Sequence, residues 1–181
     1  PGVEHGVLRS ASMDRDVGFN VYMPPGYAQN KKRYPVVYFL HGAGGTENSD
    51  AGGFSGLLQQ EIEAKRIPPV LCVFPNGGMS GYTDRPERKV MGESLITKEL
   101  IPMIDARYRT IPRREGRALC GFSMGGGGSM RLALSHPDMF CVAASWAAAL
   151  GTFGGAKDPS AILKENEKRI RGKVRLLLIV G

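Results

Sequence analysis

Short apolar runs without alternation recur along the chain, at 36–40 (VVYFL), 70–74 (VLCVF), 117–122 (RALCGF), 141–146 (CVAASW) and 174–180 (VRLLLIV). Runs of this kind predict strands buried on both faces. Between them, helical patterns occupy 56–65, 93–108, 124–135 and 160–171. In the second of these, Leu95, Ile96, Leu100, Ile101, Met103 and Ile104 fall at helical spacing and form a core face, and Pro102 is expected to bend or interrupt the helix. Ahead of the first run, alternation predicts a pair of strands near 4–9 and 19–23 with a turn over 14–18, followed by a loop over 24–35. Strands alternating with helices predict an α/β fold, a mostly parallel central sheet with helices on both faces.

Composition narrows this only slightly. A chain of 181 residues that is 42% hydrophobic and 8% aromatic can bury one core, so a single domain over 1–181 is expected. Lys and Arg outnumber Asp and Glu by 24 to 17, a net charge of +7. The densest basic run, 107–117, is interrupted and has no aromatic platform beyond Tyr108, so it reads as a solvated connection and no nucleic-acid partner is expected. Cys72, Cys120 and Cys141 each lie in an apolar run and read as small buried hydrophobes, with no disulfide framework or metal spacing. No apolar stretch reaches the length of a membrane span, and no cofactor or metal is implied.

Candidate chemistry concentrates at strand ends, where an open α/β sheet places its sites. Gly121-Phe122-Ser123-Met124-Gly125 fits G-x-S-x-G, with a predicted strand before it and a predicted helix after it. A nucleophile on so sharp a turn needs minimal neighbours two residues before and after, and both are glycine. The amide of Met124, at the helix start, would then face a developing oxyanion. A phosphate-cradling loop would instead need G-K-[ST], and Ser129-Met130-Arg131 stands there. A second glycine-rich segment, His41-Gly42-Ala43-Gly44-Gly45, directly follows the strand at 36–40 and can supply another amide donor.

With these motifs in place, the chain resembles the α/β-hydrolase superfamily, and within it the esterase group that includes feruloyl and acetylxylan esterases, S-formylglutathione hydrolase and the mycolyltransferases. The resemblance rests on YPVVYFLHGAGGTEN, VFPNGG, ELIPMIDARYR, and GFSMGG followed by ALSHPDMF, over roughly residues 19–150. It implies a serine ester hydrolase that works through an acyl-enzyme. Ser123 is the implied nucleophile, and the amides of Met124 and Ala43 are the implied oxyanion hole, with Gly44 as the alternative second donor. His41 is implied to shape the oxyanion loop, and a role as substitute general base is a second reading of it. His41, Gly44, Tyr82 and Trp146 are expected to contact substrate, with Asp84 on the same rim. The implied substrate is a small-molecule or carbohydrate ester, with feruloyl or acetyl esters of plant polysaccharide in the lead, and the implied location is secreted. An acyltransferase and a non-catalytic binding module remain the alternatives.

A serine hydroxyl is a weak nucleophile until a base takes its proton, and in this superfamily the order is serine, acid, histidine. His136 alone follows Ser123. Thirteen residues along a helix place it about 20 Å away, too far for a hydrogen bond, so it is expected to cap or pack before Pro137. Asp158, before Pro159, reads as a turn residue starting the next helix, with a triad acid as its other reading. The family's acid and histidine would follow the strand at 174–180, so the domain is expected to be incomplete at its C-terminal end, short of the last strand and helix.

Overall fold

The computed structural model describes residues 2–151 and 155–180. A seven-stranded sheet runs through the molecule. In chain order its strands are β1 (Gly2–Ser10), β2 (Arg15–Met23), β3 (Val36–Leu40), β4 (Leu71–Pro75), β7 (Arg117–Phe122), β8 (Val142–Trp146) and β9 (Arg175–Ile179), and a separate two-stranded ribbon pairs β5 (Asp84–Arg85) with β6 (Val90–Met91). The spatial order is β1-β2-β4-β3-β7-β8-β9; β1 and β2 are antiparallel, β2 joins β4 antiparallel, and β4, β3, β7, β8 and β9 are mutually parallel. Among the described residues the α-helices are α1 (Ala51–Glu63), α2 (Gly92–Ser94), α3 (Ile101–Arg107), α4 (Met124–Ser135) and α5 (Pro159–Ile170), and a π-helical turn over Leu95–Leu100 joins α2 to α3. Among the described residues, no helix is long and apolar enough to cross a membrane.

The central strands follow the apolar runs closely because each is covered twice. On one face Tyr38, Leu40, Val73 and Leu119 join the core with Ile96, Leu100 and Ile104, and on the other Phe39, Cys72, Phe74 and Cys120 join it with Leu58 and Ile62 of α1. The π-helical turn ends where Pro102 occupies the first turn of α3, which is how the chain accommodates a residue with no N–H to donate.

Three expectations are corrected. The turn falls before Arg15, and β2 extends through the segment read as a turn, because pairing with β1 reaches Ser10↔Arg15. Cys141 is half-buried, while Cys72 and Cys120 are buried as expected. The run at 174–180 is a strand, but β9 is exposed at every position, with Leu177 at 54% and Leu178 at 53%. It stands at the sheet's edge beside β8, so an apolar run here does not imply burial.

Candidate active site

β3 and β7 are parallel neighbours in a register that pairs Leu40 with Gly121. Their carboxyl ends therefore bring the His41–Gly45 loop and Ser123 to one rim. Ser123 sits between the end of β7 and the start of α4 with φ 52° and ψ −114°, a left-handed conformation that costs a non-glycine residue about 1–3 kcal/mol. Its backbone is over-determined. Ser123 donates its N–H to the Trp146 carbonyl (2.9 Å), and its own carbonyl accepts from Gly127 (3.0 Å) and Ala149 (3.0 Å).

The flanking glycines are required by close approach. A Cβ on Gly125 would lie 1.8 Å from the Leu40 carbonyl oxygen, and one on Gly121 would lie 2.5 Å from the same atom and 2.6 Å from the Gly125 carbonyl carbon. The glycine run is helical and buried throughout, although each glycine costs a helix about 1 kcal/mol relative to alanine. Met124 opens α4, so its N–H has no partner within the helix. In the facing loop Ala43 and Gly44 are exposed, Gly44 has φ 78°, and its N–H points at the Met79 thioether at 3.2 Å. A thioether is a weak acceptor that a carbonyl oxygen can displace.

The expectation that His41 contacts substrate, or serves as a base, is corrected. Its side chain is buried and both ring nitrogens are engaged: Nε2 accepts from the Gly77 N–H (3.0 Å), so Nδ1 carries the proton and donates to the Gly42 carbonyl (2.7 Å). It fastens the oxyanion loop to the NGG turn. Burial lowers its pKa, with the Gly42 bond opposing in part. A histidine whose folded pKa is depressed binds fewer protons than the unfolded chain below the unfolded value of about 6.5. Stability is thus expected to be present near pH 7 and to fall as the pH drops below about 6.5, and His41→Asn is expected to flatten that fall in thermal melts; an unchanged slope contradicts the assignment.

Tyr82 is corrected as well. Its φ of 53° turns the ring inward, where it is 1% exposed, packs where a Gly128 Cβ would lie 2.6 Å from it, and donates its hydroxyl to the His41 carbonyl (3.3 Å). The Asp84 carboxylate is engaged by Ser94, accepting from its amide (2.9 Å) and hydroxyl (2.5 Å). Trp146 is half-buried, stacked on Phe39 with ring centroids 6.3 Å apart, and its carbonyl holds Ser123. His136 caps α4 and pairs with Glu93 (2.7 Å), and Asp158 caps α5 by accepting from the Ser160 amide (2.7 Å), both in the structural roles expected of them. The sequence reading passed over Phe122 and Met79. Both are exposed large hydrophobics on the rim, at 52% and 57%, with Phe122 against Gly42 and Met79 against Gly44. Phe122 was recoverable, being the residue directly before the serine at the end of β7. Among the described residues no cluster of histidine, cysteine or carboxylate groups could hold a metal ion.

A mostly parallel sheet with helices on both faces, a tight strand-to-helix turn and a glycine-rich loop after the neighbouring strand together define an α/β-hydrolase fold. The chain belongs to the "Putative esterase" family, whose model matches residues 10–171. It is 33% identical over 142 residues to an esterase of Mycobacterium tuberculosis, covering 76% of this chain and 30% of that protein. To an endo-1,4-beta-xylanase/feruloyl esterase of Xylanibacter ruminicola it is 31% identical over 186 residues, covering 90% of this chain and 25% of that protein. The chain thus spans less than a third of the length of these curated relatives. Among solved structures it resembles a ferulic acid esterase (TM-score 0.79, 29% identity, 95% of this chain and 68% of that one). In fold it resembles a fluorophosphonate-binding serine hydrolase of Staphylococcus aureus (TM-score 0.84, 16% identity, 99% and 79%).

Proposed function

We propose that this chain carries the nucleophile and oxyanion half of a serine carboxylic-ester hydrolase. Ser123 Oγ attacks the ester carbonyl, the amide of Met124 and that of Ala43 or Gly44 hold the oxyanion, the C–O bond to the alcohol breaks, and water later releases the acyl group as acid. One observation carries the reading: Ser123 is held in a strained turn between two glycines that tolerate no Cβ. Strain that the surroundings over-determine is characteristic of functional positions.

The proton acceptor is none of the three histidines. His41 has both nitrogens occupied, His136 pairs with Glu93, and His5 lies 3.1 Å from the Asn20 side-chain oxygen. The base is therefore supplied from outside these residues. For the acyl group, exposed Phe122 and Met79 offer an apolar rim, which suits an aromatic acid such as a feruloyl group better than acetyl. The names of the feruloyl esterase relatives support the same choice, and the alcohol would be a plant polysaccharide.

Without a base, turn and oxyanion donors still leave on the order of 10³–10⁴-fold over water in a serine hydrolase. Prolonged incubation with a fluorophosphonate is thus expected to label the peptide containing Ser123 slowly, and Ser123→Ala is expected to abolish that label. Labelling that ignores the substitution overturns the proposal. The occupied histidines favour one second reading, a module that binds an ester without turnover. That reading predicts methyl ferulate binding with no covalent label at Ser123.

A further inference from the structure

A cavity of about 230 Å³ opens beside the candidate active site, between Arg15 at the start of β2, the turn after β4 (Gly77, Met79 and Ser80) and Lys89 in the β5–β6 ribbon. It shares its wall with the oxyanion loop, since Gly77 donates to His41 Nε2 (3.0 Å) and the Met79 thioether receives the Gly44 N–H (3.2 Å). β4 and β2 lie two and three strands from β7, so the cavity stands about 10–15 Å across the rim from Ser123.

Its charge is of one sign. Arg15 and Lys89 are both exposed, neither side chain makes an ion pair among the described residues, and no acidic residue lines the cavity. A Cβ on Gly78 would lie 3.2 Å from Arg15 Nη2, so the guanidinium stands over the turn after β4. Arg85 clasps the same turn, donating from Nη2 to the Met79 and Ser80 carbonyls (3.2 Å each). Lys89 ends the 3₁₀ turn Pro86–Arg88 in the left-handed region (φ 53°, ψ 34°), which glycine adopts without strain. A lysine therefore stands where the backbone favours glycine, and its charge adds to a positive potential at the edge of the site.

We propose that Arg15 and Lys89 bind a carboxylate carried by the alcohol half of the ester, so that the preferred substrate is an acylated acidic saccharide. The inference rests on the ester-hydrolase reading of Ser123. An aromatic acyl group takes Phe122, which lies against Gly42 on the β7 side of the oxyanion loop, and this leaves the β4 side to the alcohol. The guanidinium fork of Arg15 matches the two oxygens of a carboxylate, Lys89 adds a point charge, and the thioether side chains of Met13 and Met79 offer apolar contact to a sugar ring.

The test is a calorimetric titration of the 181-residue chain with trigalacturonate, beside neutral galactotriose. Trigalacturonate is expected to bind about five- to tenfold more tightly at low salt, and the Arg15→Gln/Lys89→Gln double variant is expected to bring it to the level of galactotriose. Both residues are exposed, so the variant is expected to fold. In about 1 M NaCl, where the screening length falls to about 3 Å, the advantage should also vanish. Lys31→Gln/Lys32→Gln, in the loop before β3 at the other end of the sheet, removes the same charge and is expected to keep it. Saturating trigalacturonate is further expected to slow fluorophosphonate labelling of Ser123 in the original chain and not in the Arg15/Lys89 variant. Equal binding of the neutral sugar, equal losses in the two double variants, or tight binding that leaves the labelling rate unchanged overturns the proposal. If Ser123 takes no label at all, the nucleophile reading fails, and calorimetry still decides whether the cavity holds the carboxylate.

Discussion

Gly125→Ala is expected to collapse the fold around the elbow. The added methyl would sit 1.8 Å from the Leu40 carbonyl oxygen and 2.7 Å from that of His41, and both contacts are backbone, so no side-chain rotation relieves them. Either α4 moves away from β3 or β3 bends, and each exposes the core that Met124, Met130 and Leu132 share with Tyr38 and Leu40. Overpacking that backbone must absorb costs at least about 4 kcal/mol, a loss of about 8–16 °C in a domain of this size. Gly56→Ala in α1 is the control. A Cβ there meets nothing within 4 Å, so the same chemical change is expected to raise the midpoint by about 2–4 °C through helix propensity. Thermal melts of the two variants check the contrast, and similar effects of the two would deny that close approach selects Gly125.

Ser123→Gly is expected to stabilise the chain while removing its chemistry. At φ 52° and ψ −114° serine is strained and glycine is not, so relief of about 1–3 kcal/mol should appear as a rise of about 2–12 °C. Glycine's greater freedom in the unfolded chain takes back up to about 1 kcal/mol of this. A rise in midpoint together with complete loss of covalent labelling is the signature of strain held for function. A fall in midpoint would mean that the turn is comfortable for serine and that its geometry carries no functional argument.

The fold was largely legible because its central strands announce themselves. VVYFL and the Leu119–Gly121 centre of RALCGF are buried between layers, and the two runs coincide with β3 and β7. VRLLLIV reads the same way yet forms an exposed edge, since position within a sheet is not written in the run itself. The serine motif was legible for a local reason, in that glycine spacing around one residue dictates one turn. Tyr82, Asp84 and His41 were misread because their loops lie on the right rim while their side chains turn inward, and that choice is made by a positive φ at Tyr82 and by partners such as Ser94 and Gly77. Arg15 and Lys89 gave no signal, because one cavity joins them only once the β5–β6 ribbon folds beside the start of β2.

We propose that Ser123 is a nucleophile poised by backbone geometry and not activated by any histidine of this chain. Incubating the folded chain and its Ser123→Ala variant with p-nitrophenyl acetate, then following both nitrophenol release and the acetylated peptides, tests it most directly. With no base to activate water, the acyl-enzyme should outlast its formation. The predicted result is slow acetylation of Ser123 that approaches one group per chain, absent from the alanine variant, with no sustained serine-dependent turnover. Acetyl groups confined to lysines would contradict the nucleophile, and sustained turnover that requires Ser123 would contradict the claim that the base lies outside these residues.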